Sequence, residues 1–204
     1  MNKPSLRDFK KEATARTLAE AAFELALERG LDGFVVEDAV NRAGYSRRTF
    51  ANHFNCKEEA VALGVLAHDA KVEAEVKLSG FPDGTTPLDI LHEWFKTRLT
   101  AEVLGRMRQL ATLTRAYPAL EPYFLSVLHK LQTAAREIMS ELLDERYPDG
   151  YSDLLIGAAF GAIQPIIDGS LRVLLPDEAA AEAPGAIPFD RYLDIAFGYL
   201  RNGF

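Results

Sequence analysis

Residues 36–54 contain two short helical patterns separated by one turn, and this arrangement constrains the fold more than any other feature of the chain. The apolar residues of the first pattern are spaced as one face of a helix: Val36, Ala39, Val40 and Ala43. Gly44 can adopt the positive φ that ends this helix, and Ser46 is a suitable N-cap for the next one. Phe50 and Phe54 lie on the same side of the second helix because they are one helical turn apart. The pattern predicts a helix-turn-helix whose second helix is held to the core by two phenylalanines.

The opposite side of the second helix carries residue types that read the edges of DNA bases. Arg48 and Asn52 point away from the two phenylalanines. Arg47 and Ala51 lie on one flank of the same helix. An arginine can bond O6 and N7 of guanine, an asparagine can pair with an adenine edge, and a small alanine can contact the methyl group of thymine. We therefore expect this helix to enter the major groove of DNA.

Positive charge is concentrated around this helix. Residues 41–57 contain four Lys or Arg and no Asp or Glu, although the whole chain of 204 residues has a formal net charge of -7. The first 60 residues hold 10 basic and 10 acidic side chains, against 13 and 20 in the remainder. A basic edge on an otherwise acidic protein favours the approach of that edge to phosphate.

Helix is the only regular structure that the rest of the sequence predicts. There is no alternating strand of useful length and no internal repeat, and glycine or proline separates the helical patterns. The predicted helices span residues 7–29, 57–78, 87–104, 106–116, 119–146, 152–175 and 189–202. We expect Asn55 to cap the helix that starts at Lys57, with Glu58 reaching back to it. Pro165 is expected to kink the helix that contains it. The sequence therefore predicts an all-α fold.

Composition disfavours several classes of protein. No apolar run approaches the ~18 residues needed to cross a bilayer, and the first 11 residues lack a signal-peptide pattern. The single cysteine, Cys56, excludes an internal disulfide; we interpret it as a buried small residue, with an oxidant-sensing thiol as the alternative. The four histidines are scattered, and no metal-ligand set, catalytic triad or nucleotide-binding glycine pattern is present. We expect a soluble cytoplasmic protein that is not an enzyme and carries no metal or cofactor.

The N-terminal pattern resembles the tetracycline-repressor (TetR) family of bacterial transcription regulators over about residues 10–62. Several fixed spacings carry the resemblance together: Ala21-Ala22-Phe23 to Gly30, Gly33-Phe34, Val36 to Phe50, His53-Phe54 and Lys57-Glu58-Glu59. The resemblance implies an N-terminal three-helix DNA-binding domain, a fourth helix that links it to a larger helical domain, and a homodimer formed mainly by the last two long helices. We accordingly assign residues 1–56 to a helix-turn-helix DNA-binding domain and residues 57–204 to a helical effector-binding and dimerisation domain.

The same resemblance implies roles for the residues around the second helix. Arg47, Arg48 and Ala51 take the base-facing positions. The phosphate-holding positions fall on Thr49, Asn52, His53 and Lys57. Lys57 lies in the first turn of the following helix, where an ammonium group and exposed backbone N–H groups can together hold a phosphate. Tyr45 is expected to anchor the turn in the core. The DNA-contacting residues that we predict are Tyr45, Ser46, Arg47, Arg48, Thr49, Ala51, Asn52, His53 and Lys57.

The chain departs from the family pattern at two places, and one N-terminal feature has two interpretations. Many members have a hydroxyl residue where this chain has Val35 and Val36, which leaves Asp38 to complement the helix dipole. Many also have an aromatic residue where Ala51 lies, so more of the base reading depends on the arginines. Four basic residues form either an arm that follows the DNA backbone or a disordered terminus: Lys3, Arg7, Lys10 and Lys11. His53 either contacts phosphate or packs under the helix as a neutral imidazole.

The second half of the chain carries chemistry for recognition rather than for reaction. Its aromatic and apolar residues, with a few polar ones, suit a cavity for a mostly hydrophobic small molecule, although residues at helical spacing commonly form a core instead. The predicted effector-binding residues are Trp94, Phe95, Met107, Tyr117, Tyr123, Phe124, Phe160, Gln164 and Asp168. Small residues near one another, with the last helix, suit close packing against a second copy of the chain. They are Gly157, Ala158, Gly161, Ala162, Tyr192, Leu193, Ala196 and Leu200.

These features together predict a homodimeric transcriptional regulator of the TetR type. We expect a repressor that binds a pseudo-palindromic operator in double-stranded DNA and is released by a small, mostly hydrophobic effector, with the helix at residues 57–78 as the lever. Two alternatives remain. One is an activator or architectural DNA-binding protein without an effector, which a filled second domain would favour. The other is a helical carrier or enzyme that retains the N-terminal fold, which a deep pocket with paired titratable groups would favour.

Overall fold

The computed structural model describes residues 6–67, 84–142, 147–175, 178 and 185–203. The chain divides into two compact units, one formed by residues 1–71 and 109–127 and the other by residues 72–108 and 128–204. The predicted domain boundary after Cys56 lies inside the first unit. It stays a prediction about where the DNA-binding function ends.

Helices form nearly all the regular structure of the described residues. In chain order the elements are α1 (Leu6–Arg29), a 3₁₀ turn (Leu31–Gly33), α2 (Val36–Ala43), α3 (Arg47–Ala51), α4 (Lys57–Gly64), α5 (Pro87–Arg98), α6 (Ala101–Ala116), a second 3₁₀ turn (Pro118–Leu120), α7 (Glu121–Leu142), α8 (Tyr151–Ile167), β1 (Val173–Leu174), β2 (Ile187–Pro188) and α9 (Phe189–Asn202). The strands β1 and β2 pair in parallel over two residues each. The all-α prediction is confirmed apart from this short pair. None of the helices in the described ranges is long and apolar enough to span a membrane.

The first unit is built around α1, and α4 packs directly against it. The buried side of α1 follows the spacing of one helix face, and its fully or nearly fully buried residues include Leu18, Ala22, Phe23, Leu25 and Ala26. A Cβ atom placed on Gly64 would lie 2.5 Å from the Cβ of Phe23 and 2.6 Å from the carbonyl oxygen of Ala19. The absence of a side chain at Gly64 therefore lets the two helices approach to backbone contact.

The start of α4 differs from the prediction by one residue. Cys56, not Asn55, is the N-cap, and its Sγ accepts a hydrogen bond from the backbone N–H of Glu59 at 3.4 Å. The Glu59 carboxylate in turn accepts from the backbone and side-chain nitrogens of Asn55, at 2.8 and 2.9 Å. Glu59 thus takes the place predicted for Glu58, and its carboxylate bonds Asn55, the residue before the cap, instead of the cap itself.

The end of α4 also differs from the prediction. The helix ends at Gly64, and residues 65–67 continue as turns whose N–H groups bond to carbonyls three residues earlier. The remainder of the helix predicted at residues 57–78 lies outside the described residues.

The second unit has an aromatic core between α5, α8 and α9. The ring of Phe95 lies 5.2 Å from that of Phe160 and 5.7 Å from that of Phe197, both nearly edge-on. His92 stacks on Phe197 at 4.4 Å. Burial in this cluster lowers the pKa of His92, while the carboxylate of Asp194, 3.2 Å from its Nε2, acts in the opposite direction. These contacts join residues far apart in sequence and hold α9 against α5.

Two helix boundaries predicted in the second half are wrong. The first predicted helix there, at residues 87–104, ends at Arg98, and the next begins at Ala101 instead of residue 106. The hydroxyl oxygen of Thr100 accepts a hydrogen bond from the N–H of Val103 at 3.3 Å. A threonine cap therefore sets this break, and Gly105 lies within α6.

The second wrong boundary is the end of the helix predicted at residues 152–175. It ends at Ile167, because Asp168 accepts a hydrogen bond from the N–H of Ser170 at 2.8 Å and Gly169 has a φ of 75°. A short polar side chain followed by a left-handed glycine stops a helix. Arg108 fixes the segment that follows, since its guanidinium donates to the carbonyls of Ile166 and Val173 at 3.0 and 2.9 Å.

Candidate nucleic-acid interface

The turn between α2 and α3 has the geometry that its sequence predicts. Gly44 adopts a left-handed conformation with a φ of 74°, and its N–H bonds to the carbonyl of Asn41 at 3.3 Å. The next N–H, of Tyr45, bonds to the carbonyl of Val40 at 2.9 Å. Ser46 caps α3, because its hydroxyl oxygen accepts from the N–H of Thr49 at 3.1 Å. The predicted helix-turn-helix is confirmed.

The division of α3 into a buried and an exposed side is also confirmed. Phe50 and Phe54 are 3% and 5% exposed, and their ring centroids lie 5.3 Å apart. The exposed residues around the same helix are Ser46, Arg47, Arg48, Ala51 and Asn52. The phenylalanine pair therefore fixes which residues the helix presents outward.

Two details of the surrounding structure depart from the expectations. Tyr45 is 37% exposed and lies at the surface, so it does not anchor the turn in the core. The backbone hydrogen bond to the carbonyl of Val40 holds the turn instead. At the start of α2, the carboxylate of Asp38 accepts from the N–H of Val35 at 2.9 Å. This bond satisfies the N–H of the capping residue, whereas the valines at 35 and 36 supply no side-chain cap to the N–H groups of the first turn.

Three of the four cations in residues 41–57 are paired within the protein. The guanidinium of Arg42 bonds both carboxylate oxygens of Glu28, at 2.6 and 2.7 Å, and this pairing lowers the pKa of the Glu28 carboxyl. Arg47 donates to the carboxylate of Glu37 on α2 at 2.6 Å, although its own side chain is 76% exposed. The charge predicted to face DNA is therefore partly neutralised by carboxylates from α1 and α2.

The third paired cation is Lys57. Its Nζ donates to the carbonyls of Leu31 and Phe34, at 2.6 and 2.9 Å, and lies 5.0 Å from the centre of the Phe34 ring. The ammonium thus joins α4 to the segment between α1 and α2. Its contact with a DNA phosphate stays a prediction, and this geometry gives Lys57 a structural role as well.

Arg48 is the fourth cation. Its side chain is exposed and forms no hydrogen bond or ion pair to any residue in the described ranges. It lies on the same exposed surface as Asn52. Arg48 is therefore the cation of α3 that is available to an external partner.

Asn52 and His53, at the end of α3, face a second group of cations. They line a cleft with Arg7, Lys10, Lys11 and Thr14 from the first turns of α1. Burial lowers the pKa of His53, and the nearby charge of Lys11 lowers it further. The sequence left the N-terminal cations open between an arm and a disordered terminus. The helix predicted at residues 7–29 already includes Arg7, Lys10 and Lys11, and the structure places these three on α1, while Lys3 lies outside the described residues.

The predicted effector-binding residues are divided between the two units. Trp94, Phe95 and Met107 are buried in the second unit, and Phe160 is half-buried there. Gln164 and Asp168 are exposed, and the Asp168 carboxylate takes part in the turn that ends α8. Tyr117, Tyr123 and Phe124 belong to the first unit. Their shared role in effector binding stays a prediction.

Two of these tyrosines contact the helix-turn-helix part of the first unit. A Cβ atom on Gly30, at the end of α1, would lie 2.2 Å from the hydroxyl of Tyr117, so this glycine makes room for the ring. The thiol of Cys56 donates to the hydroxyl of Tyr123 at 3.1 Å. Cys56 is half-buried, where the sequence predicted a buried residue. The corner between α6 and α7 is thereby fastened to both α1 and α4.

Comparisons with known proteins found a family model, a curated relative and a solved structure that are similar to this chain. The model of the family described as bacterial regulatory proteins, tetR family, matches residues 18–62. The HTH-type transcriptional regulator TcmR of Streptomyces glaucescens is 33% identical over 107 residues, which is 52% of this chain and 44% of that relative. The matched part thus spans less than half of the curated relative. A crystal structure assigned to a TetR-family regulator of Mesorhizobium loti aligns over 95% of this chain and 96% of that one, with 18% identity and a TM-score of 0.46.

Proposed function

We propose that this chain, whose residues 18–62 match the model of the bacterial tetR family, is a homodimeric repressor of that family that binds a pseudo-palindromic DNA operator and is released by a small molecule. One observation carries the proposal. Within the matched residues 18–62, α3 presents Arg48 and Asn52 outward while Phe50 and Phe54 anchor it from below. A short helix with an arginine and an asparagine on its free side fits the major groove of B-DNA.

The roles within this surface follow from exposure and chemistry. Arg48 and Asn52 are proposed to read base edges, with Arg47 and Ala51 beside them. Tyr45, Ser46, Thr49, His53 and Lys57 are proposed to contact the backbone. Arg47 reaches DNA by exchanging its bond with Glu37 for one with a base or a phosphate.

A second copy of the chain is the proposed occupant of an exposed apolar face on α8 and α9. Leu154 is 75% exposed, and a Cβ atom at Gly157 or Gly161 would meet no atom within 4 Å. On α9, Ile195 and Tyr199 are 40% and 54% exposed. Small residues flanked by large apolar ones suit close packing between helices. A two-fold dimer also sets two recognition helices ~34 Å apart, one helical turn of DNA.

The composition of this dimer face differs from the sequence prediction. Leu193 is fully buried in its own subunit, and the Tyr192 hydroxyl donates to the carbonyl of Ala162 at 2.7 Å. These two residues therefore hold α9 against α8. Ile195 and Tyr199, on the other side of α9, take their place in the proposed dimer face.

The effector is proposed to bind near Trp94. The indole N–H of Trp94 is buried and has no hydrogen-bond partner among the described residues. A buried donor without a partner is unfavourable by about 1–3 kcal/mol. A hydrogen-bond acceptor on an otherwise apolar ligand would satisfy it.

Release is proposed to pass through the corner between α6 and α7. Helix α6 begins in the second unit and ends in the first, and α7 begins in the first and ends in the second. The corner between them contacts the end of α1 through Tyr117 and the cap of α4 through Tyr123. A ligand that shifts α6 would therefore move the contacts at Gly30 and Cys56. The equilibrium between DNA-bound and free states then depends on the difference in ligand affinity between them.

Operator binding can be tested with one variant of the proposed reading surface. The operator is first selected from a random-sequence duplex pool with the wild-type protein. Arg48→Ala should then lose about 1–3 kcal/mol of binding to that operator, measured by fluorescence anisotropy. Analytical ultracentrifugation should give the same dimer for both proteins. Equal operator affinity of both proteins would contradict the assignment of Arg48.

Effector binding can be followed through the single tryptophan of the chain. Ligands from a thermal-shift screen should change the fluorescence of Trp94 and weaken operator binding in the same concentration range. Tyr123→Phe, which removes the hydroxyl bonded to Cys56, should keep the fluorescence change and reduce the release from DNA. A ligand that releases DNA without affecting Trp94 would place the effector elsewhere.

A further inference from the structure

We propose that the cleft between the start of α1 and the end of α3 binds the phosphodiester backbone of DNA beside the bases that α3 reads. This basic cleft is lined by Arg7, Lys10, Lys11, Thr14, Asn52 and His53, and its volume is about 450 Å³. The inference rests on the proposed function, because it assumes that DNA is the partner, and it adds an anchoring site that base reading by α3 does not require.

The geometry of the cleft brings donors from two elements together. Arg7, Lys10 and Lys11 are exposed on one face of α1, and Asn52 is exposed at the end of α3. The Thr14 hydroxyl donates to the carbonyl of Lys10 at 2.9 Å, so it contributes shape rather than a free donor. The cleft therefore offers three cations and an imidazole to one ligand, and Asn52 lies where the cleft meets the base-reading surface.

Among the described residues, the cations of the cleft have no bonded partner, in contrast to those of α2 and α4. No hydrogen bond or ion pair to the side chains of Arg7, Lys10 or Lys11 occurs within the described ranges of the chain. The neighbouring Glu12 on α1 is bonded to Arg16 at 2.8 Å instead. Three like charges around one cleft repel one another, and an anion between them removes that repulsion.

A second cleft of the same unit provides a comparison. It lies between α1 and α2 and is lined by Arg16, Thr17, Glu20, Ala21, Glu24, Arg42, Ala43 and Ala67. Its two arginines are balanced by two glutamates, whereas none of the described residues that line the basic cleft carries a carboxylate. The charge of the basic cleft is therefore a local property and does not reflect the composition of the whole unit.

Position favours a DNA backbone over a free phosphate ion. Asn52 lies both in the cleft and on the exposed surface that carries Arg48. A duplex whose major groove receives α3 has its phosphate strands on either side of that helix. The cleft lies directly beside the helix, where one of those strands would run.

The test compares two double variants with the same change of charge. Lys10→Gln/Lys11→Gln removes two cations from the cleft, and Lys130→Gln/Arg172→Gln removes two exposed cations from the other unit. Glutamine keeps helix propensity, and circular dichroism verifies that both variants are folded. Binding to a random-sequence duplex and to the selected operator is measured by anisotropy between about 50 and 200 mM salt.

The cleft variant is expected to bind both duplexes about tenfold or more weakly, and the slope of log K against log salt should flatten by about one for each phosphate that the variant no longer neutralises. The control should match the wild type. If the cleft variant also matches the wild type while the wild type binds duplex, the cleft proposal is overturned and the proposed function stands. If the wild type binds neither duplex, the proposed function itself fails.

A second measurement separates DNA from free phosphate as the ligand. The NMR titration of His53, identified by its absence in His53→Gln, should shift to a higher pKa when duplex DNA is added. Inorganic phosphate at the same phosphate concentration should leave it unchanged. An equal shift with inorganic phosphate would identify a small-anion site and overturn the DNA assignment.

Discussion

Two basic regions of the first unit hold their charges in opposite ways. Around α3, Arg42, Arg47 and Lys57 are bonded to carboxylates or carbonyls of α1, α2 and the segment between them. On α1, the cations of the basic cleft have no such partner in the described part of the chain. The region richest in positive charge by sequence is thus the one whose charge is largely used inside the protein.

The difference separates two uses of basic residues. Paired cations join elements of the fold, as Lys57 does by bonding α4 to the carbonyls of Leu31 and Phe34. Unpaired cations supply long-range attraction to phosphate, which dominates the affinity of DNA-binding proteins and depends on salt. Sequence-specific reading then falls to a few exposed groups, chiefly Arg48 and Asn52.

The largest effect is expected from removing Phe50, the buried side chain that anchors α3 to the core. Phe50→Ala deletes a side chain that is 3% exposed and should lower the free energy of unfolding by about 3–5 kcal/mol. Phe9→Ala, on α1, is the control, because Phe9 is 56% exposed and should change stability by less than about 0.5 kcal/mol. Thermal denaturation measures both. Equal destabilisation by the two changes would mean that Phe50 does not anchor α3.

A smaller effect should distinguish the two neighbouring arginines. Arg47→Ala should lower operator affinity less than Arg48→Ala does, because Arg47 must first leave Glu37 to reach DNA. We expect a difference of about 1 kcal/mol, within the range measured for such base contacts. Anisotropy titrations of both variants against the same operator measure it. A larger decrease in affinity at Arg47 would reverse the assignment of the principal reader.

Removal of the carboxylate of Glu37, the partner of Arg47, should raise the affinity for DNA instead of lowering it. Glu37→Gln frees Arg47 and removes a negative charge, so affinity for random-sequence DNA should rise by about 0.2–1 kcal/mol, the range for exposed ion pairs. Its control is Asp32→Asn, a change of the same charge at another exposed position of this unit. An equal increase in both variants would show a general effect of net charge rather than release of Arg47.

The smallest effect is a dependence on pH through His53. Burial and Lys11 lower its pKa in the free protein, and a phosphate in the cleft would raise it. DNA binding should therefore take up a proton and strengthen as pH falls from about 8 to 6, across the ordinary pKa of histidine. Binding curves of the wild type and His53→Gln across this range test it, and the variant should lack this part of the dependence.

The free energy of unfolding of the free protein should fall as pH falls, whereas DNA binding should strengthen. A histidine whose pKa is lowered on folding stabilises the fold fully above the unfolded pKa, about 6.5, and this contribution disappears as pH falls through the lower folded value. Thermal denaturation without DNA measures it against His53→Gln. Parallel trends in DNA binding and stability would show that both come from folding alone.

The local features of the site could be predicted from the sequence because each depends on nearby residues. Gly44 ends α2, Ser46 caps α3, and the spacing of Phe50 and Phe54 sets the buried side. The pairing of cations could not be predicted in this way. The partner of Arg42 is Glu28, and Lys57 bonds carbonyls more than 20 residues away, so these bonds exist only once α1, α2 and α4 have packed.

The second unit was harder to predict for a related reason. Its aromatic residues have helical spacing whether they line a cavity or form a core, and the ring contacts among Phe95, Phe160 and Phe197 join α5, α8 and α9. Tyr117 and Tyr123 are aromatic residues like these, yet they belong to the first unit and contact Gly30 and Cys56 there. Residue type alone does not distinguish these surroundings.

The central claim is that the exposed side of α3 reads DNA sequence through Arg48. The most direct measurement is a parallel selection from one random-sequence duplex pool with the wild type and Arg48→Ala, followed by sequencing of the bound DNA. We predict that the wild type enriches a pseudo-palindrome with a guanine at matching positions of both halves, and that the variant loses the preference at those positions alone. Enrichment of the same motif by both proteins, or of no motif by the wild type, would contradict the account.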